Sequence, residues 1–210
     1  MSKNLYTLCA ILAACIRCAV RGDTCGPRGR CDLSRGCPDG WKGFQRPYGR
    51  MCLKTFTGLV RAGATGCSNY NATLGSMQND DEKRFVIDDI LSQVTVSSGL
   101  VWLGINRQPM CYTSTSNADL CAPSARDAFY WTDGSARGWD MFDWHDSAPQ
   151  LNNCAMMFVS NTSVQVDDGT SGVWYPGQMT DKGCDTINAS GALKTIGYVC
   201  AKIPNLYSRT

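Results

Sequence analysis

The sequence predicts an α+β domain, secreted and stapled by disulfides. Three observations predict it: a short apolar leader, an even number of cysteines beyond that leader, and helical patterns that precede strand-like ones. The leader begins with Lys3, followed by Leu5, Leu8, Ala10, Ile11, Leu12, Ala13 and Ala14, and is broken by Arg17 and Arg21. It is too short to span a bilayer and matches the apolar region of a secretory signal. Residues 1–22 are therefore expected to form a signal peptide, with cleavage between residues 14 and 22. Leu12-Ala13-Ala14-Cys15 also matches a bacterial lipoprotein box, and Arg21-Gly22-Asp23 an integrin-binding tripeptide. Both are short enough to recur by chance.

Of the 13 cysteines in the 210-residue chain, Cys9, Cys15 and Cys18 fall in or beside the leader, which leaves ten. An even number in a secreted chain implies disulfides, because an oxidising compartment pairs exposed thiols. Asn71-Ala72-Thr73, Asn161-Thr162-Ser163 and Asn188-Ala189-Ser190 are candidate glycosylation acceptors. Lys and Arg total 20 against 18 Asp and Glu, and no basic run stands out, so no nucleic-acid partner is expected. With one histidine and no paired C-x₂-C spacing, zinc is a poor alternative use of the cysteines.

Residues 23–36 are rich in Gly, Arg and turn formers and predict a short arm tied by Cys25 and Cys31. Two helices are expected. The first lies near 57–70, despite its internal glycines. In the second, capped by Asp80 or Asp81, Val86, Ile90 and Val94 stack with Ile87 and Leu91 at i, i+4 spacing. Beyond Ser98, the apolar runs 100–105, 155–159 and 196–201 are separated by Gly, Asn, Asp, Pro and Ser, as strands joined by long loops. Helices first and strands after give the α+β class. Residues 106–128 are polar, hold Cys111 and Cys121, and predict a stapled excursion. The 203–210 tail has no hydrophobic run, so no membrane span or lipid anchor is expected.

Several segments, in order, resemble the C-type-lectin-like domains. Cys37-Pro38-Asp39-Gly40-Trp41 with Cys52 is similar to the N-terminal hairpin of long-form members. Val101-Trp102-Leu103-Gly104-Ile105 resembles the central Trp-Ile-Gly-Leu strand, and Phe129-Tyr130-Trp131-Thr132-Asp133-Gly134-Ser135 the Trp-Ser-Asp-Gly-Ser segment that follows it. Phe142-Asp143-Trp144 then leads to a proline, and Cys154, Cys184 and Cys200 follow in order. The resemblance covers 37–202. It implies the bonds Cys67–Cys200 and Cys154–Cys184, with Cys37–Cys52 in the long form, which leaves Cys111 with Cys121 and Cys25 with Cys31.

Sugar-binding members of that family hold calcium through a Glu-Pro-Asn motif, a Glu two residues before the third-strand Cys, and Asn-Asp after a Trp. Here those positions read Ala148-Pro149-Gln150, Asn152 and Met179-Thr180-Asp181, so Asp181 is the single retained carboxylate. Asn153 likewise replaces an acid of a second calcium site. Calcium needs six to eight oxygens, several of them anionic, so calcium binding is expected to be weak or absent, and no other cofactor is implied. The resemblance also allows Pro149 to be cis. Sugar binding without calcium would use amides at Gln150, Asn152 and Asn153, with Thr180 and Asp181 beside them, and aromatic faces among Trp139, Trp144, Trp174 and Tyr175. Trp102, Trp131 and Trp144 fall at buried family positions. Trp174 and Tyr175, ahead of Pro176-Gly177, predict a surface loop tip.

Catalysis has little support. His145 is the lone histidine, and Asp146 and Ser147 beside it do not make a triad by adjacency. Asp167-Asp168 and Asp80-Asp81-Glu82 suit turn and helix-cap acids. The expected function is a secreted binding module for a glycan or glycoprotein, with little or no calcium dependence. The competing class is a protein-binding or structural domain without sugar recognition.

Overall fold

The structure is a computed structural model and describes residues 24–25, 31–32, 36–62, 65–112, 121, 128–167 and 172–204. The chain divides into two compact units, residues 1–52 with 203–210, and residues 53–202. The expected leader, most of the arm and most of the tail lie outside the described residues.

In the first unit, β1 (Thr24–Cys25) pairs antiparallel with β2 (Cys31–Asp32), and the Cα atoms of Cys25 and Cys31 stand opposite each other. The side chains of these two cysteines are outside the described residues. β3 (Lys42–Arg46) neighbours β4 (Gly49–Thr57), whose residues from Leu53 on belong to the second unit, and Cys37–Cys52 ties the segment before β3 to β4.

The second unit is α+β. Its sheet runs β11 (Met179–Lys182), β8 (Cys154–Ser160), β6 (Ser98–Arg107) and β12 (Thr195–Lys202). β5 (Thr73–Leu74) pairs with β12, and β7 (Phe129–Trp131) with β6. A separate hairpin joins β9 (Val164–Val166) to β10 (Gly172–Trp174). β6, β8 and β12 are buried along almost their whole length, which is why the sequence shows them as continuous apolar runs and not as alternating ones. β6 pairs antiparallel with β8 and parallel with β12.

Helix α1 (Asp80–Ser92) lays Val86, Ile87 and Ile90 on the core built by Val101, Leu103 and Met157. Its cap is Asn79, one residue before Asp80 and two before Asp81, the expected caps. The Asn79 Oδ1 accepts from the Glu82 N–H at 3.0 Å, and Glu82 reaches back to accept from the Gln78 N–H at 2.7 Å. The two bonds form a reciprocal cap, with Glu three residues past an Asn.

The expected helix over 57–70 does not form. β4 continues to Thr57, and the described residues beyond it show no α-helix but a 3₁₀ segment, Gly66–Tyr70, closed by Asn71 in the left-handed region at φ 56°. Three glycines in 14 positions, at 58, 63 and 66, explain the difference, since each costs a helix interior about 1 kcal/mol relative to Ala.

Gly104 shows why the central strand carries glycine after Trp102-Leu103. A Cβ there would lie 2.3 Å from the Leu74 carbonyl oxygen, a backbone atom that has no room to move aside. Disulfides Cys67–Cys200, Cys154–Cys184 and Cys111–Cys121 close loops of 133, 30 and 10 residues. Among the described residues no helix is long and apolar enough to cross a membrane.

Candidate binding site

The Ala148-Pro149 peptide is cis, and the loop that contains it is held from beneath by two buried charges. Asp181 belongs to β11, whose antiparallel register with β8 sets it opposite Ala155 and turns its side chain inward. It is 3% exposed. Its Oδ1 accepts the Gln150 N–H and its Oδ2 the Asn152 N–H, both at 2.7 Å.

Arg107 is the last residue of β6 and is 1% exposed. Its backbone N–H donates to the Asn153 carbonyl at 2.8 Å, its Nε to the Asn152 carbonyl at 3.0 Å, and its Nη2 to the Gln150 carbonyl. Nη2 also lies 4.0 Å from Asp181 Oδ2, and the guanidinium carbon sits 4.4 Å from the centre of the Phe129 ring. Burial pushes the Arg107 pKa below its ordinary value, and the Asp181 carboxylate pushes it back up. A guanidinium keeps its proton in proteins, so the charge stays. Nη1 is buried without a hydrogen-bond partner.

The structure brings Gln150, Asn152, Asn153 and Asp181 together around Arg107, a residue the sequence did not single out. Thr180 is buried, and its hydroxyl donates to the Asp181 carbonyl at 3.3 Å. Gln150 is exposed, and Asn152 and Asn153 are half-buried.

Calcium does not fit this arrangement. Both Asp181 oxygens are engaged by backbone N–H groups, and among the described residues no three acidic, histidine or cysteine side chains gather as a metal set. A cation brought within about 4 Å of the guanidinium would meet repulsion of roughly 4 kcal/mol per unit charge at an effective dielectric of 20.

Trp174 is not at a loop tip. It is 1% exposed, lies 4.0 Å from the His145 ring with an interplanar angle of 4°, and packs against Phe158. The alternation of β10 accounts for this, because Val173 faces out and Trp174 must then face in. The same stack uses His145, whose Nδ1 lies 2.9 Å from Ser147 Oγ, as a packing partner. Tyr175 is 56% exposed, in the turn closed by the Gln178 N–H donating to its carbonyl. Among the described residues, the hydrogen bonds of Tyr175 go to Gln178 and none reaches the Asp181 cluster. Trp102 and Trp131 are buried, and Trp144 packs partly buried against the core.

Trp139, by contrast, is 45% exposed. It borders a cavity of about 270 Å³ whose walls include Tyr130, Trp131 and Phe142, with Gln108 and Arg137 as polar groups. The adjoining turn is fixed in place. The Asp133 carboxylate accepts from the N–H and hydroxyl of both Ser76 and Ser135, and Gln78 bonds both the N–H and the carbonyl of Arg137. Of the glycosylation acceptors, Asn71 and Asn161 are exposed, whereas Asn188 Nδ2 donates to the Leu193 carbonyl at 3.1 Å.

The fold is C-type-lectin-like: a capped helix on a sheet whose central strand carries Trp102 and Gly104, the Cys67–Cys200 and Cys154–Cys184 bonds, and a cis-proline loop above β8 and β11. No protein-family model and no curated protein matches the sequence. Solved structures do match. The chain is similar to a protein solved as the SPL-1–GlcNAc complex, at 16% identity and TM-score 0.49, over 81% of this chain and 98% of that one. It is also similar to the cow C-type carbohydrate-recognition domain of CD23 solved with a GlcNAc2Man3 oligosaccharide, at 19% identity and TM-score 0.47, over 81% and 98%. A calcium-independent type II antifreeze protein matches at 19% identity and TM-score 0.46, over 80% and 94%.

Proposed function

We propose that this chain is a secreted, disulfide-stapled binding module that recognises a glycan or glycoprotein without calcium, and that it is not an enzyme. The observation that carries the reading is the loop around Pro149, pinned from below by Arg107 and Asp181, with the Gln150 side chain exposed and its Nε2 donating to the Ser147 carbonyl at 3.2 Å. A fixed loop with an exposed amide side chain can hydrogen-bond hydroxyls at little ordering cost. The exposed faces of Trp139 and Tyr175 add apolar surface of the kind that stacks on sugar rings. The leader at 1–22 and the acceptors Asn71 and Asn161 support an extracellular destination.

A glycan array probed in calcium and again in chelator tests this. The expected result is binding that agrees between the two conditions within about twofold, or 0.4 kcal/mol. Gln150→Ala and Trp139→Ala, both at exposed side chains, are expected to weaken binding while leaving the thermal midpoint unchanged. Signal that vanishes in chelator contradicts the calcium-free reading. Silence in both conditions contradicts glycan recognition and favours a protein ligand.

A further inference from the structure

We infer that Arg107 is a built-in cation, a positioning residue that holds the loop around Pro149 permanently in its assembled form. The argument rests on polarity along one short stretch of backbone. The N–H groups of Gln150 and Asn152 point to the Asp181 carboxylate, while the carbonyls of Gln150 and Asn152 point to the Arg107 guanidinium. One ion pair therefore satisfies both polarities of the same loop.

A residue that merely filled the core would need no acceptors. This side chain spends its Nε and its Nη2 on two carbonyls of one loop, and lies across the Phe129 ring. A buried guanidinium is tolerated only where its charge is paired and its donors are met. The Asp181 carboxylate 4.0 Å away supplies the pairing, and the carbonyls of Asn152 and Gln150 meet two of the five donors, while Nη1 has no partner.

The consequence concerns regulation. A loop held by a dissociable ion opens when the ion is withdrawn, whereas a loop held by a covalently attached cation does not. The binding face proposed above would then be assembled at every ionic composition in which the protein folds. This inference rests on that reading only for its biological meaning, because the test below observes the loop and no ligand.

The experiment is hydrogen exchange of the Gln150 and Asn152 amides, measured against core amides of β8, in the full chain and in Arg107→Met, Arg107→Lys and Arg107→Ala. In Arg107→Met, which keeps the bulk and loses the charge, the two loop amides are expected to exchange about a hundredfold faster relative to the core, since bonds to charged groups contribute most to local protection. Arg107→Lys keeps the charge without the fork and is expected to fall between Arg107→Met and the unsubstituted chain. If Arg107→Ala folds, guanidinium chloride far below denaturing concentration is expected to restore part of the protection, and sodium chloride at equal ionic strength is not.

Three results would overturn the inference: unchanged exchange at Gln150 and Asn152 in Arg107→Met, equal exchange in the Met and Lys variants, or restoration by sodium chloride as complete as by guanidinium. Should Arg107→Ala not fold, the Met and Lys comparison decides.

Discussion

Replacing Cys67 and Cys200 together by alanine is expected to lower stability by about 5 kcal/mol, the chain-entropy value for a closed loop of this length. The bond spans 133 residues and joins the 3₁₀ segment before β5 to β12. Without it the unfolded chain regains the freedom that the cross-link removes. Both cysteines are also buried, at 3% and 0% exposure, so the lost sulfurs leave a void that adds to the cost. For a unit of this size the midpoint would fall by about 10–20 °C. The same treatment of Cys111–Cys121, which closes 10 residues, is expected to cost only about 3 kcal/mol. Denaturant unfolding of the two double variants checks the ranking. Equal losses, or a larger loss for the short loop, would contradict it.

Asp181→Ala is expected to destabilise by about 3–5 kcal/mol, the range for removing one member of a buried ion pair. The substitution strands two backbone N–H groups, on Gln150 and Asn152, and leaves the Arg107 charge without its carboxylate. Asp181→Asn keeps the shape but turns an amide N–H₂ toward one of those N–H donors, so it is expected to recover less than half of the loss. Urea unfolding of the three proteins measures this. A difference between Asp181→Ala and the unsubstituted chain of under about 1 kcal/mol, typical of an exposed pair, would show that the carboxylate is not the loop's anchor.

The parts of the fold that were legible in the sequence are those decided by local periodicity. Helix α1 announced itself through Val86, Ile90 and Ile87, and β6, β8 and β12 through apolar runs too short for helices. The stretch 57–70 misled because its Leu59-Val60 and Ala62 look compatible with a helix, while the glycines at 58, 63 and 66 and the β-branched, aromatic end of β4 decide against one. Trp174 misled through its neighbours: Pro176-Gly177 does mark a turn, but the strand's period of two places the ring inside, against His145. A strict alternation count from Gly172 would have caught it.

The site was legible in half. Asp181 stood out because an acid survives where its neighbours became neutral. Arg107 did not, since its role depends on contacts with residues 43 to 46 positions away, and nothing local distinguishes it from any charged residue that ends a strand. The one signal was its place two residues beyond an apolar run from 99 to 105, after Asn106. A charge there must either reach solvent or find an acceptor, and the sequence does not say which.

The most direct test of the account is thermal unfolding of the unsubstituted protein in millimolar calcium and in excess chelator. With Arg107 as the loop's cation, the two midpoints are expected to coincide within about 1 °C, because no dissociable ligand stabilises the folded state. A metal held at a hundredfold excess over its Kd would contribute about 2.7 kcal/mol, and its removal would lower the midpoint by roughly 5–10 °C. A fall of that size on chelation would mean that a metal, and not the guanidinium, holds the loop around Pro149.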